Sequence, residues 1–303
     1  MARARFDISL PLNTLYAPFY LGELYLRQTW LKKNLTVAAG RMAPSNSFAS
    51  LPVFNNYVNY GINPNPSSLG TNDVSFFGPP AGTEWGAQAS YTITPAIEAV
   101  AGTFNTNTHS ANGKDHGADF ILQEGNKGAL VIGEIDYLLN QRASSRGRPG
   151  LYTVGLLHSN NAFASLANED SESSGYSGVY ALGQQMVYRP DGPGSSRGAT
   201  LWGAWTRSSK EVISRMPLFW GTGLSYQGLI PARPNDIVSA GFIDGRASKF
   251  IPVPSSEQLF EVNYQWRHSR YMTVMPQFEY VWKKGGSNPA GTAVAGIQLA
   301  VTL

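Results

Sequence analysis

The sequence contains no cysteine, which excludes a disulfide framework, a zinc–thiolate site and a cysteine nucleophile. It is also poor in charge: Asp, Glu, Lys and Arg make up 14% of the 303 residues. A soluble domain usually carries about a quarter of such residues. The formal net charge is +3 and no long run of Lys or Arg occurs, so we expect no nucleic-acid partner.

Long hydrophobic runs are missing as well. No apolar segment approaches the roughly 18 residues of a transmembrane helix, and the mean hydropathy is −0.20. There is no P-loop and no nucleophile elbow, and the four histidines show no metal-ligand spacing. We therefore expect neither a cofactor nor a metal nor enzymatic activity. Two all-β classes stay open: a soluble β protein, or a transmembrane β-barrel, whose alternation hides its hydrophobicity from a window average.

What the sequence does contain is strict alternation of apolar and polar residues. In the hairpin of residues 219–248, Trp220 and Leu224 share one face of a strand, whereas Gly223 and Ser225 share the other. About thirteen such strands follow one another between Gly22 and Leu303, many of roughly ten residues, the length with which a tilted strand crosses a bilayer. The small inward residues of this hairpin predict open space beside it: Gly221, Gly223, Ser225 and Gly241.

The connections between these strands alternate in length. Short connections such as 32–34 and 231–235 alternate with long ones such as 106–128, the pattern of outer-membrane barrels. In a barrel the polar faces line the lumen and the apolar faces meet lipid, whereas a soluble sandwich would bury its apolar faces in pairs. Tyr180 and Tyr188, which lie on one parity, predict one aromatic residue at each rim of the bilayer.

Several motifs resemble the carbohydrate-selective outer-membrane porins of the OprB family. They are LYLRQTWL with LTVAAGRM, YALGQQMVYRP, QGLIPARPND with GFIDGRAS, and the C-terminal TVMPQFEYVWKKGGSNPAGTAVAGIQLAVTL. The resemblance runs from about Leu21 to the end of the chain. It implies a transmembrane antiparallel β-barrel of the sixteen-stranded porin type, integral to the bacterial outer membrane, that passes monosaccharides by facilitated diffusion through a lumen narrowed by inward-folded loops.

On this basis we divide the chain into a non-matching segment, 1–20, and a porin barrel, 21–303. Members of the family have about three further strands before the LYLRQ strand, and about thirteen strands cannot close an even-numbered barrel. We therefore expect that the chain is a fragment, or that a second copy or another chain completes the wall. The other expected partners are outer-membrane lipid and small carbohydrate solutes.

The candidate site is the lumen and the long loop 42–83, which begins at the long-loop end of the barrel and is rich in Asn, Pro and aromatic residues. Its Tyr57, Tyr60, Phe76 and Phe77 either line the sugar path or pack the loop against the wall. Strand parity predicts a polar lumen lining: Glu23, Arg27, Glu134, Asp136, Gln185, Glu261, Asn263, Gln265, Gln277, Glu279 and Gln298. The resemblance puts Arg41 near the constriction, whereas parity alone allows a place at the rim.

The function expected from these features is passive, carbohydrate-selective diffusion of monosaccharides such as glucose across an outer membrane. A general porin or one for sugar acids and polyols is the alternative in the same class. A barrel enzyme would need a nucleophile–base pair that no motif marks, and a soluble carbohydrate-binding module would stay in solution without detergent.

Overall fold

The computed structural model describes residues 3–9, 20–71, 83–107, 126–168, 170–252, 256–282 and 290–301. They form a single antiparallel sheet of fourteen strands, in which each strand pairs with the next one along the chain. The strands are β1 Arg3–Ser9, β2 Tyr20–Trp30, β3 Leu35–Met42, β4 Glu84–Thr94, β5 Ile97–Asn107, β6 Asn126–Leu139, β7 Gly150–Ala164, β8 Glu172–Tyr188, β9 Gly198–Ser208, β10 Leu218–Gln227, β11 Ile237–Arg246, β12 Ser256–Arg267, β13 Met272–Trp282 and β14 Thr292–Val301.

The all-β prediction is confirmed, and β2 to β14 are the strands that the alternation predicts. Strand β1 is an addition, since the sequence reading placed no strand before Gly22. It pairs with β2 from Arg3 opposite Arg27 to Ser9 opposite Tyr20. Within the described residues no ladder joins β1 to β14, so the sheet keeps two edges there.

The two faces of the sheet differ as the alternation requires. Large apolar side chains stand exposed on the outer face, among them Leu26, Leu156 and Ile297, which are 66%, 64% and 76% exposed. A contiguous apolar surface of this extent is rare on a soluble monomer and suits contact with lipid tails. The inner face carries the buried polar side chains, including Glu23, Glu134 and Glu261.

Among the described residues, helical structure is confined to short pieces. They are one-turn 3₁₀ segments at Leu31–Lys33, Pro44–Asn46 and Pro52–Asn56, and the helix α1 at Ser67–Thr71. In the part of the chain that the structure describes, no helix is long and apolar enough to cross a membrane.

The hydrophobic core lies on the inner face of the sheet, between the strands and a loop that folds into the lumen. Residues 43–71, here called the inner loop, contribute buried side chains that pack on inward residues of the wall. The ring of Phe48 meets Phe104 edge to face at 6.1 Å, and Phe54 meets Trp202 at 5.2 Å. The inner loop is therefore a packed part of the fold.

The space predicted beside the small inward residues of β10 and β11 is filled, which corrects the expectation of an open lumen there. A Cβ added to Gly241 would lie 2.8 Å from the Tyr57 ring, and one added to Gly223 would lie 2.6 Å from Nε1 of Trp202. Glycine is needed at these positions because the loop's ring and the wall's indole approach the backbone closely.

The prediction that Tyr180 and Tyr188 mark two rims of one face is wrong. Tyr180 is fully buried in the lumen, where its hydroxyl donates to Oε2 of Glu134 at 2.7 Å. Tyr188 is exposed, and its ring lies 6.1 Å from that of Tyr226. The ladder to β9 shifts register between Met186 and Tyr188, and such a bulge re-aims the side chains that follow it.

Candidate functional site

The inner loop begins after Met42, at the end of the barrel that carries the long connections, and its first anchor is Glu23 on β2. The Oε1 atom of Glu23 accepts hydrogen bonds from the Ala43 backbone N–H at 3.2 Å and from Nδ2 of Asn46 at 3.1 Å. Nearby, Nε2 of Gln88 on β4 donates to the Ser47 hydroxyl at 2.9 Å. Two neighbouring parts of the wall thus hold the start of the loop.

A second anchor is Glu134 on β6. Its Oε2 atom accepts from the Ala49 backbone N–H at 3.0 Å as well as from the Tyr180 hydroxyl. All three residues are buried. A backbone N–H shielded from water needs an acceptor, and a carboxylate is a strong one.

The middle of the loop is held by β8 to β11. The Val53 N–H donates to Oε1 of Gln184 at 2.9 Å. The Tyr57 hydroxyl receives a hydrogen bond from Nε1 of Trp202 at 2.8 Å and lies 3.1 Å and 2.9 Å from the carbonyl oxygens of Leu224 and Ala240. Tyr57 thereby links three strands of the wall.

The last anchors lie on β12 and β13. The backbone N–H groups of Val58 and Asn59 donate to the two carboxylate oxygens of Glu261 at 2.9 and 3.0 Å. The Asn59 side chain donates to Glu279 at 3.0 Å. Two wall amides donate to carbonyls of the loop, Asn263 to Asn56 at 3.0 Å and Gln265 to Asn55 at 3.3 Å.

These contacts run from β2 to β13, so the inner loop extends over nearly the whole inner face of the sheet. Five backbone N–H groups of the loop donate to side chains of the wall, those of Ala43, Ala49, Val53, Val58 and Asn59. The wall supplies the acceptors from Glu and Gln side chains. Six residues predicted from parity to line the lumen are therefore bonded to the loop: Glu23, Glu134, Glu261, Asn263, Gln265 and Glu279.

Two other predicted residues, Arg27 and Asp136, line a cavity of about 230 Å³ between the loop and β2–β6. Gln277 and Gln298 lie on the inner faces of β13 and β14, where Gln298 is exposed. Arg41 is fully buried, and its Nε donates to the Leu21 carbonyl at 3.1 Å.

The assignment of Gln185 to the lumen is corrected by its contacts. Gln185 accepts a hydrogen bond from the hydroxyl of Tyr152, an exposed residue of the outer face, at 2.8 Å. Its neighbour Gln184 points inward to the loop. Gln185 lies on the parity opposite to the buried Tyr180 and therefore faces outward, whereas the bulge after Met186 is what lets Tyr188 face outward as well.

Of the loop aromatics, Tyr57 is buried and Tyr60 is 73% exposed. Phe76 and Phe77 lie outside the described residues. The sequence reading did not single out Gln88, Glu98, Gln184 or Trp202 as site residues. Gln88 and Glu98 were accessible to it, because each is a polar residue on the inward parity of its strand. Trp202 was not, since nothing in the sequence pairs an indole on β9 with a tyrosine in a loop.

A wall of long antiparallel strands with an apolar exterior, and a polar interior crossed by an anchored loop, defines a channel-forming outer-membrane β-barrel protein. The family model for "Carbohydrate-selective porin, OprB family" matches residues 13–303, and the chain belongs to that family. It is an integral outer-membrane sugar channel, and its family and fold are those of a channel rather than an enzyme.

Individual relatives are distant. Porin B of Pseudomonas aeruginosa is 23% identical over 92% of this chain and 67% of its own length. The putative porin QuiX of Acinetobacter baylyi is 24% identical over 90% and 68%. The high-pH structure of Pseudomonas putida OprB superposes with a TM-score of 0.82 at 21% identity, covering 94% of this chain and 73% of that one. At that identity the structural likeness supports the fold.

Proposed function

We propose that the protein passes neutral monosaccharides such as glucose by passive diffusion, along a path between the inner loop and the wall formed by β13, β14, β1 and β2. The observation that carries this path is the distribution of exposed side chains. Inward polar residues of β6–β12 are largely buried beneath the loop, whereas Gln298 on β14 and Arg27 on β2 are exposed. These are the inner faces that a solute can reach.

Tyr60 marks the loop's side of this path. Its neighbour Asn59 is fixed to Glu279 on β13, so Tyr60 stands beside that strand, and its ring is 73% exposed. A sugar has an apolar ring face that can slide over an aromatic ring and hydroxyls that exchange hydrogen bonds with Gln, Arg and carboxylate groups. Such contacts are weak enough to release the solute.

The wall of this path needs closure, because β1 and β14 have no partner on their outer sides within the described residues. Lipid offers no hydrogen bonds to an unpaired strand edge, so a spanning sheet has to close. We propose that further strand pairing, from strands of a longer form of this chain, from a second copy or from another chain, completes the wall.

The test is the swelling rate of liposomes that contain the purified protein. Glucose should enter faster than an uncharged non-sugar solute of equal size. The variant Tyr60→Ala should lower that ratio by about twofold to tenfold, since the loss of an aromatic contact is worth about 0.5–1.5 kcal/mol. The outer-face control Tyr188→Ala should leave the ratio unchanged. Equal rates for the two solutes in the unmodified protein would contradict the proposal.

A further inference from the structure

The polar side chains of the inner face form two groups. Those of the first group bond to the inner loop, and those of the second group line one cavity. Glu23, Glu134 and Glu261 are engaged by the inner loop. The cavity of about 230 Å³ on the other side of the loop segment 46–47 is instead lined by three charged residues that the inner loop does not engage: Arg27, Glu98 and Asp136. Asn46 and Gln88 also line it, and the side-chain nitrogen of each is bonded, to Glu23 and to Ser47 respectively.

Acceptors dominate one side of this cavity. Glu98 on β5 lies directly opposite Asp136 on β6. Like charges in such a cross-strand pair are destabilising unless something compensates them. One oxygen of Asp136 accepts from the Thr153 hydroxyl. Within the described residues the second oxygen, and both oxygens of Glu98, find no hydrogen-bond donor.

A hydrogen-bond donor, the guanidinium of Arg27, lies on the other side of the cavity. Arg27 on β2 is exposed to the cavity, and no described residue forms an ion pair or a hydrogen bond with its guanidinium. The strands β2 and β5 are three spacings apart, roughly 14 Å along the wall, and in the described residues no ion pair joins Arg27 to Glu98. Between them, Oε1 of Gln88 is buried and has no partner among the described residues, although the amide nitrogen is bonded to Ser47.

From this arrangement we infer a binding site for one neutral hexose in the cavity, here called the exit subsite because it lies on the short-turn side of the loop. Sugar hydroxyls both donate and accept, so one molecule can donate to Glu98 and Asp136 while it accepts from Arg27. A purely anionic or cationic ligand would satisfy one side only. The inference rests on the proposed function and adds a location and the residues that select the solute.

A second cavity under the loop, of about 430 Å³, makes a useful contrast. It is larger, but its polar residues are already engaged: Gln184 with Val53, and Gln227 with Ser196 at 3.1 Å. Among the described residues that line it, Arg267 alone is charged. It therefore lacks the opposed set of free donors and acceptors that characterises the exit subsite.

The charges that line the exit subsite predict a selectivity between glucose and a sugar acid. A purely structural role of the same residues would predict no such selectivity. Two carboxylates face one guanidinium, so a sugar acid should bind more weakly than glucose. The double variant Glu98→Gln, Asp136→Asn keeps the shape but leaves Arg27 as the only charge. This variant should bind glucose about tenfold more weakly, because hydrogen bonds to charged groups are lost. It should also bind gluconate more tightly than the unmodified protein does.

The experiment measures sugar-induced closure of single channels in planar bilayers, with glucose or gluconate added to the short-turn side. The unmodified protein, the double variant, Arg27→Gln and the control Glu172→Gln are compared. Glu172 lies exposed at the start of β8, away from the cavity. We expect Arg27→Gln to weaken glucose binding about tenfold and the control to leave it unchanged. Heat-modifiable mobility on gels shows which variants have folded.

The outcomes separate the two proposals. Opposite shifts for glucose and gluconate in the double variant support the exit subsite. Glucose affinities within twofold of the unmodified protein in the folded double variant and in Arg27→Gln overturn the subsite and leave the sugar channel intact. If glucose fails to close even the unmodified channel, the proposed function itself is contradicted, and the subsite with it.

Discussion

The backbone N–H of Val58 in the inner loop lies 2.9 Å from a carboxylate oxygen of Glu261 on β12, two residues separated by 203 positions in the chain. The adjacent N–H of Asn59 donates to the other oxygen of the same carboxylate at 3.0 Å. This paired contact fixes the far end of the loop to the wall opposite its origin. It also explains why a carboxylate is found in a wall that faces neutral solutes.

Replacing Glu261 by Gln should release this end of the loop. The amide retains one acceptor oxygen and turns an N–H₂ group towards a second N–H, so one of the two bonds is lost and a donor faces a donor. The loss is worth about 1.5–3 kcal/mol. Single-channel recordings should show a higher mean current and frequent flickering. Glu172→Gln, an exposed position at the start of β8, is the control. Unchanged current in a folded Glu261→Gln protein would refute this role.

Gly241 should tolerate no side chain, because the Tyr57 ring occupies the space where its Cβ would lie. A Cβ there would come within 2.8 Å of the ring and 3.2 Å of Trp202. Gly241→Ala should displace Tyr57 and destabilise the folded protein by about 1–3 kcal/mol. The matched control is Gly203→Ala, whose Cβ meets no atom closer than 3.9 Å. Urea unfolding in detergent measures the difference. Equal midpoints for the two variants would contradict the packing described.

Low pH should destabilise the turn of the barrel that contains Asp236, through protonation of that carboxylate. Burial acts to raise the pKa of this carboxyl, but hydrogen bonds from Arg233, Tyr264 and the Arg267 N–H outweigh it and hold the pKa below its usual range. Stabilisation by a depressed carboxyl is fully present above its unfolded pKa of about 3.9 and is lost as the pH falls through the lowered folded value.

Asp236→Asn should therefore lower the midpoint temperature of heat modification at pH 7, and this effect should shrink as the pH falls below about 3.9 towards the lowered folded pKa. The control is Asp170→Asn, an exposed turn residue just before β8. A difference between Asp236→Asn and the unmodified protein that stays the same from pH 7 to pH 2 would rule out the carboxylate as the source of the effect.

The absence of cysteine makes the exposure of the loop directly measurable. In single-cysteine variants, Tyr60→Cys should react quickly with a small hydrophilic maleimide in intact membranes, whereas Phe54→Cys should react slowly. The reason is that Tyr60 is 73% exposed and Phe54 is 1% exposed. Glucose should slow the reaction at position 60 if it passes there. Equal rates at the two positions would show that the loop is not packed as described.

Much of the fold could be predicted from the sequence, because successive residues of a β-barrel strand face lipid and lumen in turn and their polarity alternates accordingly. The thirteen longer strands and the facing of Glu134 and Glu261 follow from that period. β1 also alternates, with Arg3, Arg5 and Asp7 against Ala4, Phe6 and Ile8, but its seven residues lie in a segment with no further pattern.

The candidate site was less accessible, because its contacts join residues more than a hundred positions apart. Parity shows that Glu134 faces the lumen, but it does not show that the Ala49 N–H occupies its carboxylate. Small inward residues such as Gly241 predicted open space in the lumen, where the structure places the loop. A sequence cannot distinguish an open lumen from one that is filled by a loop. The bulge beside Met186 turns Tyr188 outward although Tyr180 faces inward, so the two tyrosines could not together fix the face on which Gln185 lies: one unpaired residue leaves no mark in the sequence.

The central claim is that the inner loop, fixed across the lumen, controls the passage of sugar. The most direct test is single-channel current in planar bilayers, with and without millimolar glucose, for the unmodified protein and for a variant in which residues 44–71 are replaced by a short Gly–Ser linker. The account predicts a saturable fall of current with glucose in the unmodified protein, and a severalfold larger, glucose-insensitive current in the variant. Equal currents with equal sensitivity to glucose in the two proteins would contradict it.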